Sequence, residues 1–150
     1  AAARGLRVAI VAARYNEDIV EAMIAGAFAA WQRQGGEAED LTIVRAPGAF
    51  ELPLLARTLA QTQRYHAIVA LGCVIRGATA HFDFVAGEAA RGIAQAAYDT
   101  GVPVSFGVLT TENLEQALER ARPEEMDKGG EALQAALEMV LALREISRSE

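Results

Sequence analysis

The sequence predicts an α/β protein of three layers, with a four-stranded parallel sheet covered by helices on both faces. Three observations predict it. Short apolar, β-rich runs alternate with segments of helical length from one end of the chain to the other. The runs are nearly continuously hydrophobic, as strands covered on both faces are. The chemically unusual residues gather just after the runs, where an open parallel sheet keeps its ligand crevice.

Each element follows from local signals. "LRVAIVAA" (6–13) is the first strand, and a helix over 17–34 opens with two acids, Glu17 and Asp18, and stops at Gly35-Gly36. "LTIVRA" (41–46) is the second strand, followed by a short helix over about 51–62. "AIVALGCVI" (67–75) is the third strand. The next helix runs over about 80–99 to Thr100-Gly101, and Pro103 opens the fourth strand, "VPVSFGVLT" (102–110). Helices over 112–121 and 129–147 complete the chain. In the last of these, Gln134, Glu138, Leu141 and Glu145 mark a narrow stripe and most of the rest is apolar. A helix with so little polar surface needs more cover than one small domain supplies, which predicts oligomerisation. No repeat, low-complexity tract or linker interrupts the pattern, so residues 1–150 are expected to form one domain. Alternating strands and helices imply right-handed crossovers, a flavodoxin-like layout.

Composition excludes several function classes. Among 150 residues there are 14 basic and 20 acidic side chains, a net charge of −6, so no global field draws nucleic acid or an anionic membrane. The apolar stretches fall short of the roughly 20 residues that cross a bilayer. The amino terminus runs into a strand without the layout of a signal peptide. Cys73 is the one cysteine, so a reducing, cytoplasmic setting is expected. No Cys/His/carboxylate cluster has metal-ligand spacing, and no metal is expected.

The candidate residues follow the strands: "RYN" (14–16), "PGAFE" (47–51) and "RGATAH" (76–81), with "TTEN" (110–113) and its helix after the fourth. In "RGATAH", Gly77 and Ala78 allow close backbone approach to a ligand and Thr79 can cap the next helix, whose free amides favour an anion. A capped helix with nothing bound explains the same spacing equally well. The segment lacks the ending of a P-loop, and the chain has no GxGxxG. His81, one turn into that helix, suits proton transfer near neutral pH; a plain surface histidine is the bland alternative, and His66 has only that reading. Cys73 reads as buried filler rather than a nucleophile. Tyr15 and Phe50 either stack on a planar ring or pack in the core. Glu51 is either an acid favoured by its helix dipole or an acceptor for polyol hydroxyls. Arg120 either complements the carboxyl end of its helix or forks a phosphate. Lys128 is the only lysine.

Taken together, "ARYNEDIVEAMIAGA", "APGAFELPLLA", "ALGCVIRGATAHFDFVAGEAARGI", "VPVSFGVLTTENLEQALERA" and "DKGGEALQAALEM" closely resemble the lumazine synthase family over residues of about 6 to 146. The resemblance implies condensation of 5-amino-6-(D-ribitylamino)uracil with 3,4-dihydroxy-2-butanone 4-phosphate to 6,7-dimethyl-8-ribityllumazine, the penultimate step of riboflavin biosynthesis. It implies no cofactor, and a homopentamer with sites between neighbours that in some members closes into a shell. Tyr15, with Asn16 beside it, would stack on the pyrimidine. Ala49, Phe50 and Glu51 would line the ribityl side, and Cys73, Val74 and Ile75 would read the pyrimidine through their backbone. Ala78 and Thr79 would cradle the phosphate with Gly77 shaping the turn, Arg120 would clamp it, and Lys128 would stand near it. His81 would transfer protons, and Phe106 would reach in from the adjacent subunit.

One stretch departs from the family pattern. "RPEEMDKG" (122–129) stands where many members read Gly-Thr-Lys-Ala-Gly-Asn-Lys-Gly, and its added acids are expected to repel a phosphate if they lie near it. That change is the one point for an alternative, a weakly active shell-forming or flavin-binding relative. A generic flavodoxin-like module would explain the fold but not Arg120, Phe106 and "PGAFELP" together.

Overall fold

The computed structural model describes residues 1–148; the last two residues of the expected 1–150 unit lie outside the described residues. Its strands are β1 (Val8–Ala13), β2 (Leu41–Ala46), β3 (Ala67–Ile75) and β4 (Val104–Thr111). Its α-helices are α1 (Glu17–Arg33), α2 (Leu52–Gln61), α3 (His81–Thr100), α4 (Leu114–Ala121) and α5 (Lys128–Arg148). All strand pairs are parallel, in the order β2-β1-β3-β4. One core packs α1, α4 and α5 on one face of the sheet, and a second packs α2 and α3 on the other. The expected three-layer α/β architecture is therefore the one the chain adopts.

Helix ends obey the sequence signals. Beyond α1, Gly35 takes φ 83°, and at the end of α3 Gly101 takes φ 72° and donates its N–H to the Ala97 carbonyl at 2.9 Å. Left-handed backbone of this kind is where glycine replaces a helical residue most cheaply. Gly129 serves a different need, close approach. A Cβ there would collide with the Met23 backbone, so α5 crosses α1 without a side chain between them.

The expectation that every strand is covered on both faces holds only for the inner two. All of β1 is buried, and β3 is buried up to Ile75. β2 and β4 are the edges, with Ile43 and Phe106 43% and 47% exposed. An open sheet must have two edges, and their apolar character is not satisfied within the chain. The same holds for α5, where Leu143 and Ile146, outside the narrow stripe, stand exposed along with Leu141.

Register creates the crevice. β1 pairs with β3 only as far as Ala12↔Leu71, whereas β3 and β4 continue together to Ile75↔Thr111. The last turn of pleat in β3 thus overhangs β1, with one edge free of a strand partner.

Candidate active site

Two adjoining hollows occupy that overhang. One, of about 280 Å³, is lined by Tyr15, Asn16, Ala49, Cys73, Val74, Ile75, Gly77, Thr79 and His81, with Phe82 and Val85. The other, of about 630 Å³, shares Tyr15, Ala49, His81 and Val85 with it and adds Gly48, Phe50, Glu51 and Phe84. Residues from the ends of β1, β2 and β3 therefore converge on one crevice. Tyr15 and Phe50 are 73% and 56% exposed, so neither packs in the core, and both line the larger hollow.

The crevice floor is held by a specific contact. Asn16 adopts left-handed backbone at φ 62°, which asparagine tolerates better than most residues, and its Nδ2 donates to the Cys73 carbonyl at 2.9 Å. This ties the end of β1 to the overhanging strand while leaving the second lone pair of that carbonyl open. Burial pushes the Cys73 thiol up to about 11, so sulfur is neutral near pH 7 and acts as packing rather than nucleophile.

The 76–81 turn differs in detail from the sequence reading. α3 begins at His81 itself, so the imidazole lies at the first residue of the helix, not one turn in. Ala80, already in right-handed helical backbone, occupies the capping position; Thr79 stands before it, and Thr79 Oγ1 accepts the His81 N–H at 3.3 Å. Thr79 therefore caps from one residue further out. Gly77 is not required to be glycine by this chain: its φ is not positive and a Cβ would meet nothing within 4 Å. Ala78 is exposed and lines neither hollow. Among the described residues, the N–H groups of Gly77, Ala78 and Thr79 make no hydrogen bond within the chain, so three donors face outward at the start of a helix.

Phe106, Arg120 and Lys128 do not join this crevice. They line a separate cavity of about 340 Å³ between β4, α4 and α5, which shares no residue with the first two hollows. Phe106 pairs with Ala70, well before the carboxyl end of the sheet, on the edge strand β4. Arg120 Nη1 donates back to the Gln116 carbonyl at 3.2 Å, and Lys128 Nζ lies 3.2 Å from both oxygens of Glu131. The expectation of His81 and Arg120 side by side is thus not met within one chain, because β3 and the sheet edge separate them.

The divergent 122–126 segment forms a compact turn. Arg122 pairs with Glu125 at 3.3 Å, and the Met126 and Asp127 N–H groups return to the Glu119 and Arg122 carbonyls. Asp127 takes φ 48°, and its Oδ1 accepts the Gly130 N–H at 3.2 Å at the start of α5. None of residues 122–126 lines the cavity of Arg120 and Lys128. The acid that does is Glu131, which the sequence reading passed over although its spacing of three from Lys128 on one helix was the available signal. Val85, four residues beyond His81 on the same helical face, was legible in the same way.

The family model of 6,7-dimethyl-8-ribityllumazine synthase matches residues 5–144. The chain belongs to that family. It is 54% identical over 144 residues to the 6,7-dimethyl-8-ribityllumazine synthase of Nitratidesulfovibrio vulgaris (strain DSM 19637 / Miyazaki F), covering 96% of this chain and 92% of that protein. It is 49% identical to the enzyme of the same name from Syntrophus aciditrophicus (strain SB), covering 96% and 94% respectively. Among the described residues, no group of three or more His, Cys, Asp or Glu is arranged to hold a metal, and no helix is long and apolar enough to cross a membrane. The lumazine synthase relationship spans the two separate cavities alike.

Proposed function

We infer that this chain is a lumazine synthase of riboflavin biosynthesis, one unit over 1–150 acting in the cytoplasm without a cofactor. It condenses 5-amino-6-(D-ribitylamino)uracil with 3,4-dihydroxy-2-butanone 4-phosphate, releasing phosphate and water. The observation that carries the reading is the crevice, where exposed aromatics, an unpaired strand edge and free helix-start amides meet at His81.

Each part has a task in that reaction. Tyr15 stacks on the pyrimidine, whose polar edge pairs with the backbone of Cys73 to Ile75. Phe50 and Ala49 line the ribityl chain, and Glu51 accepts hydrogen bonds from its hydroxyl groups. The phosphate of the second substrate lies against the amides of Ala78 and Thr79. The substrate amine attacks the ketone and loses water to form an imine, with His81 moving protons. Phosphate then leaves, and ring closure expels a second water. Most of the acceleration comes from holding the two substrates together and stabilising the departing phosphate.

The second cavity belongs to the same chemistry through a neighbour. In the proposed homopentamer, Phe106, Arg120 and Lys128 of one subunit close the crevice of the next, which brings two cations to the phosphate and covers the exposed rings. This reading explains why the free edge of the sheet carries functional side chains, and it gives the apolar end of α5 a packing partner.

The test is a direct assay. Purified protein is mixed with both substrates and lumazine formation is followed by absorbance against the slow uncatalysed background. Acceleration that requires the phosphate-bearing substrate is the expected result, and its absence from a folded oligomer would overturn the reading.

A further inference from the structure

Arg76 opens the "RGATAH" turn, yet it lines neither hollow and has no part in the chemistry described above. Its contacts nevertheless bracket the turn. Its backbone N–H donates to the Thr111 carbonyl at 2.8 Å, continuing the β3–β4 pairing one residue past the strand. Its guanidinium stacks 4.4 Å from the centroid of the Phe82 ring, and its Nη2 lies 3.8 Å from Asp83 Oδ1, both in the first turn of α3. Its Nε donates to Glu112 Oε2 at 3.0 Å, just beyond β4. One side chain thus starts before the turn, reaches the residues after it, and anchors both to the neighbouring strand.

The turn needs such an anchor. Residues 77–80 are exposed, Gly77 touches nothing where a side chain would be, and the outward amides make no hydrogen bond within the chain. Phe82, 9% exposed, is an apolar side chain in the first turn of α3, and the guanidinium lies over its ring. Each exposed ion pair alone is weak, but a planar group held by a ring and two carboxylates has one orientation. Glu112 is fixed in its turn, because its N–H donates to Gln116 Oε1 at 2.9 Å at the start of α4.

We propose that Arg76 is a positioning residue that holds the 77–81 turn in the geometry for the phosphate-bearing substrate, so that its loss impairs that substrate selectively. The inference rests on the lumazine synthase reading. A misplaced turn moves the amide donors and His81 but leaves the Tyr15, Phe50 and Glu51 side untouched.

The experiment compares wild type, Arg76→Lys, Arg76→Ala and Glu112→Gln by steady-state kinetics in each substrate, alongside thermal unfolding. Arg76→Ala is expected to lower kcat/KM for the butanone phosphate about 10–100-fold, the scale on which small displacements of catalytic groups act. KM for the ribitylaminouracil should stay within about twofold. Arg76→Lys keeps the charge but not the plane and should rescue only part of the loss; Glu112→Gln should be a milder version of the same pattern. A purely structural role predicts a lower unfolding temperature and a proportional loss of active protein, with both KM values unchanged. That outcome, or wild-type kinetics in Arg76→Ala, overturns the proposal. Wild-type protein without activity would instead defeat the reading on which it rests.

Discussion

The crevice around His81 and the cavity around Arg120 are built on opposite plans. The first collects residues from three strand ends, with exposed rings and free backbone donors. The second sits at the sheet edge, and its cations are already engaged, Arg120 with a carbonyl of its own helix and Lys128 with Glu131. The first has the form of a binding site and the second that of a reserve of charge. A parallel sheet puts its ligand at the strand ends, and the proposed pentamer gives the edge cavity a role by setting it against a neighbour's crevice.

The two regions separate most clearly when one member of each is removed. His81→Ala should lower kcat by about 10²-fold or more while leaving substrate affinity nearly intact, as loss of a proton-transfer group does. Arg120→Ala should act mainly on the butanone phosphate, raising its KM by about 10-fold, the scale of a lost charge-assisted contact. Steady-state kinetics varying each substrate separates the two patterns. Equal effects on kcat and on both KM values would erase the distinction drawn between the regions.

A smaller effect tests whether the cations are held in reserve. Glu131→Gln removes the carboxylate that occupies Lys128 and takes a negative charge out of the cavity. Affinity for the butanone phosphate, or for inorganic phosphate as a competing ligand, should rise about 2–5-fold, consistent with a partly exposed pair. An unchanged inhibition constant for phosphate would show that Lys128 is not limited by its partner.

The smallest effect lies away from both regions and serves as their control. At the start of β3, His66 Nδ1 accepts the Arg7 N–H at 2.9 Å. Burial first, then the charges of Arg7 and Arg144, hold this imidazole below the ordinary value of 6.5. The unfolded chain therefore binds more protons than the folded one as pH falls through about 6.5. The stability from neutral His66 is complete above that pH and is lost progressively below it. Thermal unfolding should show a lower midpoint at pH 5 than at pH 7.5, and His66→Gln should flatten the dependence without altering activity at pH 7.5.

Much of this was legible in the sequence because it rests on local chemistry. Periodicity located all four strands and five helices, and Gly35 and Gly101 marked helix ends that the backbone realises with positive φ. Tyr15, Glu51 and His81 could be grouped because the topology brings consecutive strand ends together. The family resemblance set Phe106 apart as a neighbour's residue, but Arg120 and Lys128 could not be separated from the crevice, since spacing along the chain does not show that β4 lies outermost. The 122–126 segment misled for a related reason. Its acids are near Lys128 in sequence, but the Arg122–Glu125 pair and the turn carry them away from the cavity, which takes its acid from the next helix.

The central question is whether the two regions of one chain serve different active sites. His81→Ala and Arg120→Ala proteins, assayed with butanone phosphate held well below its KM so that each is weakly active alone, should be unfolded together, reassembled at equal ratio and verified as mixed oligomers. A site shared between neighbours predicts that lumazine synthesis returns to about a quarter of the wild-type rate, because that fraction of interfaces joins an intact crevice to an intact Arg120 cavity. Verified mixed particles no more active than the separate mutants would contradict it.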